Sequence, residues 1–334
     1  MMTTVRLDRD ATECGPPTGQ ATTSQEAAST IAALEHAAWA LAALVHLFHA
    51  TDLTSNAPLP LEGADLGPAR LLATLGLLTE AADGFAPAPG LADLFTTVPT
   101  ATLAAANIST LRQIATVTGI VAKVAGEGWS TFDDETLLAQ GSASAFAGQM
   151  LATVGVGSLP GLAEPFRDGG RFLDVGTGVG ALGAAFAETL PEATVVGIDV
   201  LARAVELARD LVGERGLDHR FEIRLQGIED LDDTESFDLA WLPAPFIPEA
   251  VFDRALANIH RSLKPCGWII IGAGRLDGDD TGVAVTRWQT ALAGGTPLTT
   301  GDTTAVLTGA GFTNVTSIPT PPGAPVLTCG QRPR

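Results

Sequence analysis

The chain has no tyrosine, only two lysines (Lys123 and Lys264) and three cysteines among its 334 residues. Cys14, Cys266 and Cys329 fall in no disulfide or zinc spacing, so neither a disulfide framework nor a metal site is expected, and a reducing cytoplasm suits the chain. Basic charge is scarce: 19 Lys and Arg stand against 38 Asp and Glu, a formal net of -19. Affinity for nucleic acid comes mainly from Lys and Arg neutralising phosphates, so DNA, RNA and anionic membrane surfaces are poor partners. Long apolar runs are also missing. The longest, residues 37–50, is interrupted by His46 and His49 and falls short of the ~20 residues that a membrane span needs. Residues 1–30 hold no apolar core for a signal peptide. The expectation is a cytoplasmic protein without a membrane or nucleic-acid role. Apolar residues are plentiful, at 46%, which excludes global disorder, and the length suits two domains.

Residues 1–25 are rich in Thr, Ser, Gly, Pro and Gln without periodicity and read as a disordered tail. In residues 31–49 apolar positions recur at helical spacing (Ile31, Leu34, Ala38, Leu41, Leu44, Val45, Phe48), predicting a buried or dimer-facing helix. A second helical pattern covers residues 66–78, and Asp83-Gly84 between short apolar runs signals a hairpin. Helix, helix and hairpin in that order resemble a winged-helix unit. Residues 31–100 carry seven acids against the single base Arg70, so this unit is expected to dimerise or line a pocket, not to read DNA. Helical patterns at 102–125 and 143–154 follow, and Gly157, Pro160, Gly161, Gly169 and Gly170 mark a boundary. The division is 26–165 for a helical dimerisation and lid domain and 166–334 for a second domain. From Arg171 short apolar strands alternate with helices, which predicts an α/β domain: a parallel sheet with helices on both faces and a terminal hairpin after a Pro-Pro-Gly turn.

The strongest motif is Phe172-Leu173-Asp174-Val175-Gly176-Thr177-Gly178-Val179-Gly180, a strand entering a glycine loop that opens a helix. Glycine suits such a loop because the chain turns sharply and a ligand must approach the backbone with no Cβ in the way. Asp199 ends the next strand, where a carboxylate can accept hydrogen bonds from both ribose hydroxyls of an adenosine. Gly176, Gly178 and Ala181 also satisfy the dinucleotide pattern Gly-x-Gly-x-x-Gly/Ala. Asp174 argues against a dinucleotide, since its charge would repel a pyrophosphate, whereas it can hold the ammonium of a methionine tail.

Asp174, Gly176, Gly178 and Gly180 match residue for residue the first motif, Asp/Glu-x-Gly-x-Gly-x-Gly, of the class I S-adenosylmethionine-dependent methyltransferases, which this sequence resembles. Leu263-Lys264-Pro265-Cys266-Gly267-Trp268 is similar to their Leu-Lys/Arg-Pro-Gly-Gly turn, and Ala310-Gly311-Phe312 to their Ala-Gly-Phe turn. With its helical first half the whole chain resembles the dimeric small-molecule O-methyltransferases. That resemblance implies a Rossmann-like seven-stranded methyltransferase sheet, mostly parallel with a C-terminal antiparallel hairpin, preceded by a winged-helix-like domain that forms a homodimer and roofs the substrate. It also implies S-adenosylmethionine as cofactor, held by the glycine loop with Thr177, by Asp199, and near Pro243. The adenine is implied near Val200, Gly227, Ile228 and Glu229; Ile228 departs from the Asp that many relatives carry there.

The plant-type relatives carry a His-Asp-Trp cluster after strand four; here Pro245 stands in the His slot, so the usual base is absent and no catalytic residue is assigned. His46 and His49 read as core or interface residues, His260 as a packed histidine and Glu249 as a helix-capping acid. A carboxylate acceptor is already ionised at pH 7 and needs no base, so a carboxylic acid or an acidic phenol or enol is the expected substrate. Trp129, Phe146, Met150, Phe246 and Trp288 are candidates for its apolar pocket. A nicotinamide-dependent oxidoreductase and a non-catalytic ligand-binding regulator are the alternatives.

Overall fold

The computed structural model describes residues 24–50, 53, 58–119, 128–278, 281–320 and 325–334. The tail expected over 1–25 lies outside them except for its last two residues, which belong to a helix, and the Pro-Pro-Gly turn and the end of the 102–125 pattern also lie outside.

Helix α1 (Ser24–Ala50) packs its C-terminal half, through Ala43 and Leu47, on α2 (Leu66–Thr74) and on the hairpin β1 (Leu78–Ala81) and β2 (Gly84–Pro87). Gly84 is obligatory there: its φ is +137°, and a Cβ would stand 2.1 Å from the Leu59 carbonyl oxygen. The N-terminal half of α1 is not covered. Ile31, Leu34 and Trp39 are each about two-thirds exposed; of the stripe read as buried or dimer-facing, Leu44 and Phe48 are partly covered, and the buried positions are Ala43 and Leu47 beside them. Residues 29–49 are long and apolar enough, by length and composition, to cross a membrane (mean hydropathy 1.6), because Ala32 and Ala33 extend the run that sequence reading began at Ala37.

After α3 (Pro89–Thr97) and α4 (Thr100–Val117), helix α5 (Asp134–Met150) opens on an Asp133 N-cap, whose carboxylate accepts the Thr136 N–H at 2.8 Å. It runs on through a π turn (Leu151–Gly155) and α6 (Val156–Ser158) to α7 (Ala163–Arg167). The sheet domain then alternates β3 (Arg171–Val175), α8 (Ala181–Thr189), β4 (Thr194–Asp199), α9 (Ala202–Glu214), β5 (Phe221–Leu225), β6 (Phe237–Pro243), α10 (Glu249–Ser262), β7 (Leu263–Ala273), α11 (Thr281–Ala293) and α12 (Thr300–Gly309). It ends in β8 (Thr313–Ile318) and β9 (Val326–Gln331). The strand order is β5-β4-β3-β6-β7-β9-β8, parallel except for the last hairpin. The order reverses between β3 and β6, which opens a crevice beyond Val175 and Pro243.

Alternation along β3 sends Phe172 to one face, stacked on Phe186 of α8 at 4.2 Å, and Leu173 and Val175 to the other, with α10 and α12. Residues 181–187 of α8 are all buried, so α8 is covered on the side away from the sheet as well. The cover is α5. Gly141, Gly148 and Gly155 recur at seven-residue spacing; a Cβ on Gly141 would meet Val179 at 2.1 Å and one on Gly148 the Leu182 carbonyl oxygen at 2.1 Å. The helical half therefore lies directly on the start of α8, beside the glycine loop.

Candidate functional site

The loop between β3 and α8 takes its shape from three left-handed glycines, Gly176 (φ +64°), Gly178 (φ +56°) and Gly180 (φ +78°). A Cβ on Gly178 would enter open space, whereas Gly176 faces the Pro243 ring, bringing the loop and the end of β6 together across the crevice. Thr177 ties the loop to the sheet twice: its N–H donates to the Ile198 carbonyl at 3.0 Å and its hydroxyl to Asp174 Oδ2 at 2.7 Å.

Asp174 is buried beneath this loop, 1% exposed, with the Thr177 hydroxyl across its carboxylate and the Gly183 N–H as a further donor. Burial, reinforced by the charge of Asp199, pushes its carboxyl up to about 7 against the hydrogen bonds it receives. Sequence reading aimed it at an ammonium group; in the structure its immediate partners are loop groups.

Asp199 closes β4 with both oxygens occupied by main chain: Oδ2 accepts Gly178 N–H at 2.9 Å and Oδ1 accepts Leu201 N–H at 2.8 Å. Burial raises its carboxyl above the ordinary range, and these amides oppose the rise. Its backbone carbonyl accepts the Gln226 N–H at 2.9 Å, setting the turn after β5 beside it. Val200 is 71% exposed on this rim. Gly227 is extended, and the Glu229 carboxylate folds back over it, 2.7 Å from where a Cβ would be. The Ile228 side chain is buried in the core, so that position offers a ligand its backbone alone.

Among the apolar candidates the structure joins Trp129 and Phe246, whose rings meet edge to face at 5.4 Å, and adds Phe132, 5.0 Å from Trp129. The Trp129 indole N–H is buried with no partner among the described residues. Phe146 and Met150 are half-buried on α5, and Trp288 on α11 is 58% exposed, with α11 packed against the turn Gly128–Thr131 that carries Trp129. An open cleft of about 440 Å³ lies beside Trp129, Phe132, Asp133, Leu137, Leu201 and Arg203. Sequence reading reached only Trp129 of these, though the acidic run Asp133-Asp134-Glu135 marks a helix start. Each of these acids has an arginine: Arg112 reaches Asp133 and Glu135, and Arg203 holds Asp134 at 2.6 and 2.9 Å.

No histidine lies at the carboxyl ends of the strands. His46 and His49 are exposed on α1, not in its core, because the buried stripe runs through Ala43 and Leu47; His46 Nε2 instead meets Asp65 at 2.7 Å. His260, near the C-terminal end of α10 and so at the far end of the sheet, packs on Phe312, its imidazole held below its ordinary value by burial and Arg332. His219 precedes β5 at that same far end. Glu249 opens α10 without a side-chain cap bond, leaving its charge in the first turn. Pro245 lies in a single turn, Ala244–Phe246, against which Gly295 packs.

Residues 172–267 match the methyltransferase domain family. The chain carries a methyltransferase domain. Among curated proteins, 101 residues are 30% identical to the release factor glutamine methyltransferase of Rhodopirellula baltica, a match covering 30% of this chain; the chain spans about a third (34%) of that relative's length. The methyltransferase fold extends over nearly the whole chain. An O-methyltransferase family protein from Burkholderia thailandensis superimposes with a TM-score of 0.61 at 19% identity, over 92% of this chain and 98% of that one. Human N-acetylserotonin methyltransferase, solved in complex with S-adenosylmethionine, gives 0.62 at 16% identity over 95% and 100%. The helical half thus has counterparts of the same shape, and the seven-stranded sheet with its antiparallel hairpin is the methyltransferase arrangement.

Proposed function

We propose that this chain transfers a methyl group from S-adenosylmethionine to an oxygen of a small, mostly apolar acid: a carboxylate, or an acidic phenol or enol. The observation that carries the cofactor is Asp199. Its carboxylate stands at the carboxyl end of β4, fixed by two main-chain amides next to a loop whose glycines leave the backbone open, at the point where the strand order reverses. Residues and group fit: Asp199 has lone pairs left for ribose hydroxyls, the loop of Gly176, Thr177, Gly178 and Gly180 admits a chain lying across it, and Val200 with Gly227, Ile228 and Glu229 borders the base. Asp174 holds Thr177 and, through it, the loop. Pro243 walls the crevice opposite Gly176.

When bound, the cofactor supplies an electrophilic sulfonium methyl. The protein's share is positioning, since in-line displacement gains most from a fixed near-attack geometry. Trp129, Phe132 and Phe246 form an apolar wall that excludes water, and Phe146, Met150 and Trp288 extend the acceptor side. With Pro245 where relatives place a histidine, and all five histidines elsewhere, an acceptor that arrives ionised is the one this site can serve. We place the enzyme in the cytoplasm as a homodimer through its helical half, supported by the uncovered Ile31, Leu34 and Trp39 on α1; a monomer in sedimentation would refute the dimer.

Titration of the pure protein with S-adenosylhomocysteine and with NAD tests the cofactor. The first is expected to bind and the second not, and Asp199→Ala is expected to weaken S-adenosylhomocysteine at least about tenfold. Unchanged affinity would remove the ribose assignment. Methylation confined to neutral alcohols or amines, with a pH profile showing a base near 7, would remove the acidic acceptor.

A further inference from the structure

The turn that follows β5 is held from behind by one buried side chain. Asn258, on α10 and 7% exposed, uses its amide nitrogen twice, donating to the carbonyls of Ile228 and Glu229, each at 2.9 Å. Two neighbours act alongside it: the Arg261 guanidinium donates to the Leu231 carbonyl, and Gln226 Nε2 to the Asp230 carbonyl at 3.0 Å. In a trans peptide the carbonyl and the N–H point to opposite sides. Turning the Ile228 carbonyl toward α10 therefore turns the Glu229 N–H away from it, to the side of the turn that this helix does not cover. The Asp230 N–H is used within the turn, on the Gly227 carbonyl at 3.0 Å, and the Ile228 side chain is buried in the core. The turn thus offers the Glu229 N–H as a fixed donor beside the rim formed by Asp199 and Val200, against which Gln226 N–H pins it.

We propose that Asn258 is a positioning residue for nucleobase specificity: by holding two successive carbonyls it aims the Glu229 N–H at the ring nitrogen that is an acceptor in adenine and a protonated donor in hypoxanthine. This rests on the cofactor reading given above. Asn258 touches no ligand and acts only through the turn. Its loss should weaken recognition of the base and leave the ribose and methionine contacts in place.

The experiment compares S-adenosylhomocysteine with its hypoxanthine counterpart, S-inosylhomocysteine, by calorimetric titration against wild type, Asn258→Leu and Asn258→Ser. Leu keeps the volume and removes both donors; Ser leaves room for water and is the variant to read where Leu impairs folding, checked by thermal melting. Wild type is expected to prefer the adenine compound by at least about tenfold. In the variants that preference should collapse toward one, through loss of S-adenosylhomocysteine affinity with little change for the inosyl compound. A general loosening of the site would lower both affinities by the same factor and preserve the ratio, which overturns the proposal, as does a wild type with no preference. Wild-type protein that binds neither compound overturns the cofactor reading itself. Binding with an unchanged ratio in the variants overturns only the role of Asn258.

Discussion

The two halves of the molecule use apolar residues differently. In the sheet domain they are consumed internally: β6 is buried at all seven positions and α8 at seven consecutive ones, because a parallel sheet covered on both faces needs apolar runs without alternation. In the helical half, α1 has a mean composition as apolar as a core helix, yet leaves Ile31, Leu34 and Trp39 in the open, and Leu75, Leu94, Ile114 and Leu138 are also exposed. The sheet domain leaves large apolar side chains open only at Val200, Leu225, Val285 and Trp288 among the described residues, whereas the helical half exposes them along α1 and on its other helices. The contrast explains how such a module can sit over a shared catalytic scaffold, since the surfaces that choose a substrate or a second subunit are those that intramolecular folding has not used.

The seam between the halves offers the hardest test of this contrast. If α5 lies on α8 only because Gly141 and Gly148 remove side chains from the contact, then Gly148→Ala, whose Cβ would meet the Leu182 carbonyl oxygen at 2.1 Å, must push the helices apart. The expected loss is on the order of 3 kcal/mol in urea denaturation. Gly157→Ala, with nothing within 4 Å of the new Cβ, is the control and is expected to be neutral or slightly stabilising. Equal effects from the two would mean that the seam tolerates a wider gap and that the halves are more loosely coupled than the packing indicates.

A smaller effect belongs to the sheet domain alone. Asp174 ionises near 7 in the folded protein and near 3.8 in an ordinary carboxyl, so between those values the folded state binds the extra proton. The proton's contribution to stability is therefore full below about pH 4 and is lost as pH rises through about 7. The ligand-free melting temperature should fall across pH 5.5 to 8, and Asp174→Asn should flatten that fall by on the order of a few degrees. A slope identical to wild type would show that another group governs it.

How much of this was legible beforehand depended on range. The glycine loop and Asp199 were readable because a left-handed backbone and a strand-end carboxylate are local demands, written within about 25 residues. The hairpin was readable from Asp83-Gly84 for the same reason. The pair Gly141 and Gly148 on α5 was missed although its seven-residue spacing was visible, because spacing does not say which helix lies opposite. Asn258 was invisible as well: its carbonyl partners lie some 30 residues earlier, and only the packing of α10 behind the turn makes the contact. Of the core and interface readings of His46, the core one fails because apolar periodicity places a residue on a face only to within a neighbour or two, and it falls just beside the buried stripe.

The least effect is expected where the seam is most conspicuous. Arg203 of α9 grips Asp134 at the start of α5 with two hydrogen bonds, bridging residues 69 apart in sequence, and shares its guanidinium with Glu206 at 2.7 Å. The pairing lowers the Asp134 carboxyl and raises the Arg203 guanidinium, each through the hydrogen bond they share. Both side chains are nearly half exposed, however, so water and salt screen most of that attraction, and two flexible side chains lose rotamer freedom to make it. Removing either partner should shift the melting temperature by no more than about 2 °C, and the double variant should do little worse than the single ones. A shift several times larger, fading in high salt, would reverse the ranking of forces at the seam: charge, and not the absence of side chains at Gly141 and Gly148, would then be what keeps the helical half seated on the methyltransferase domain.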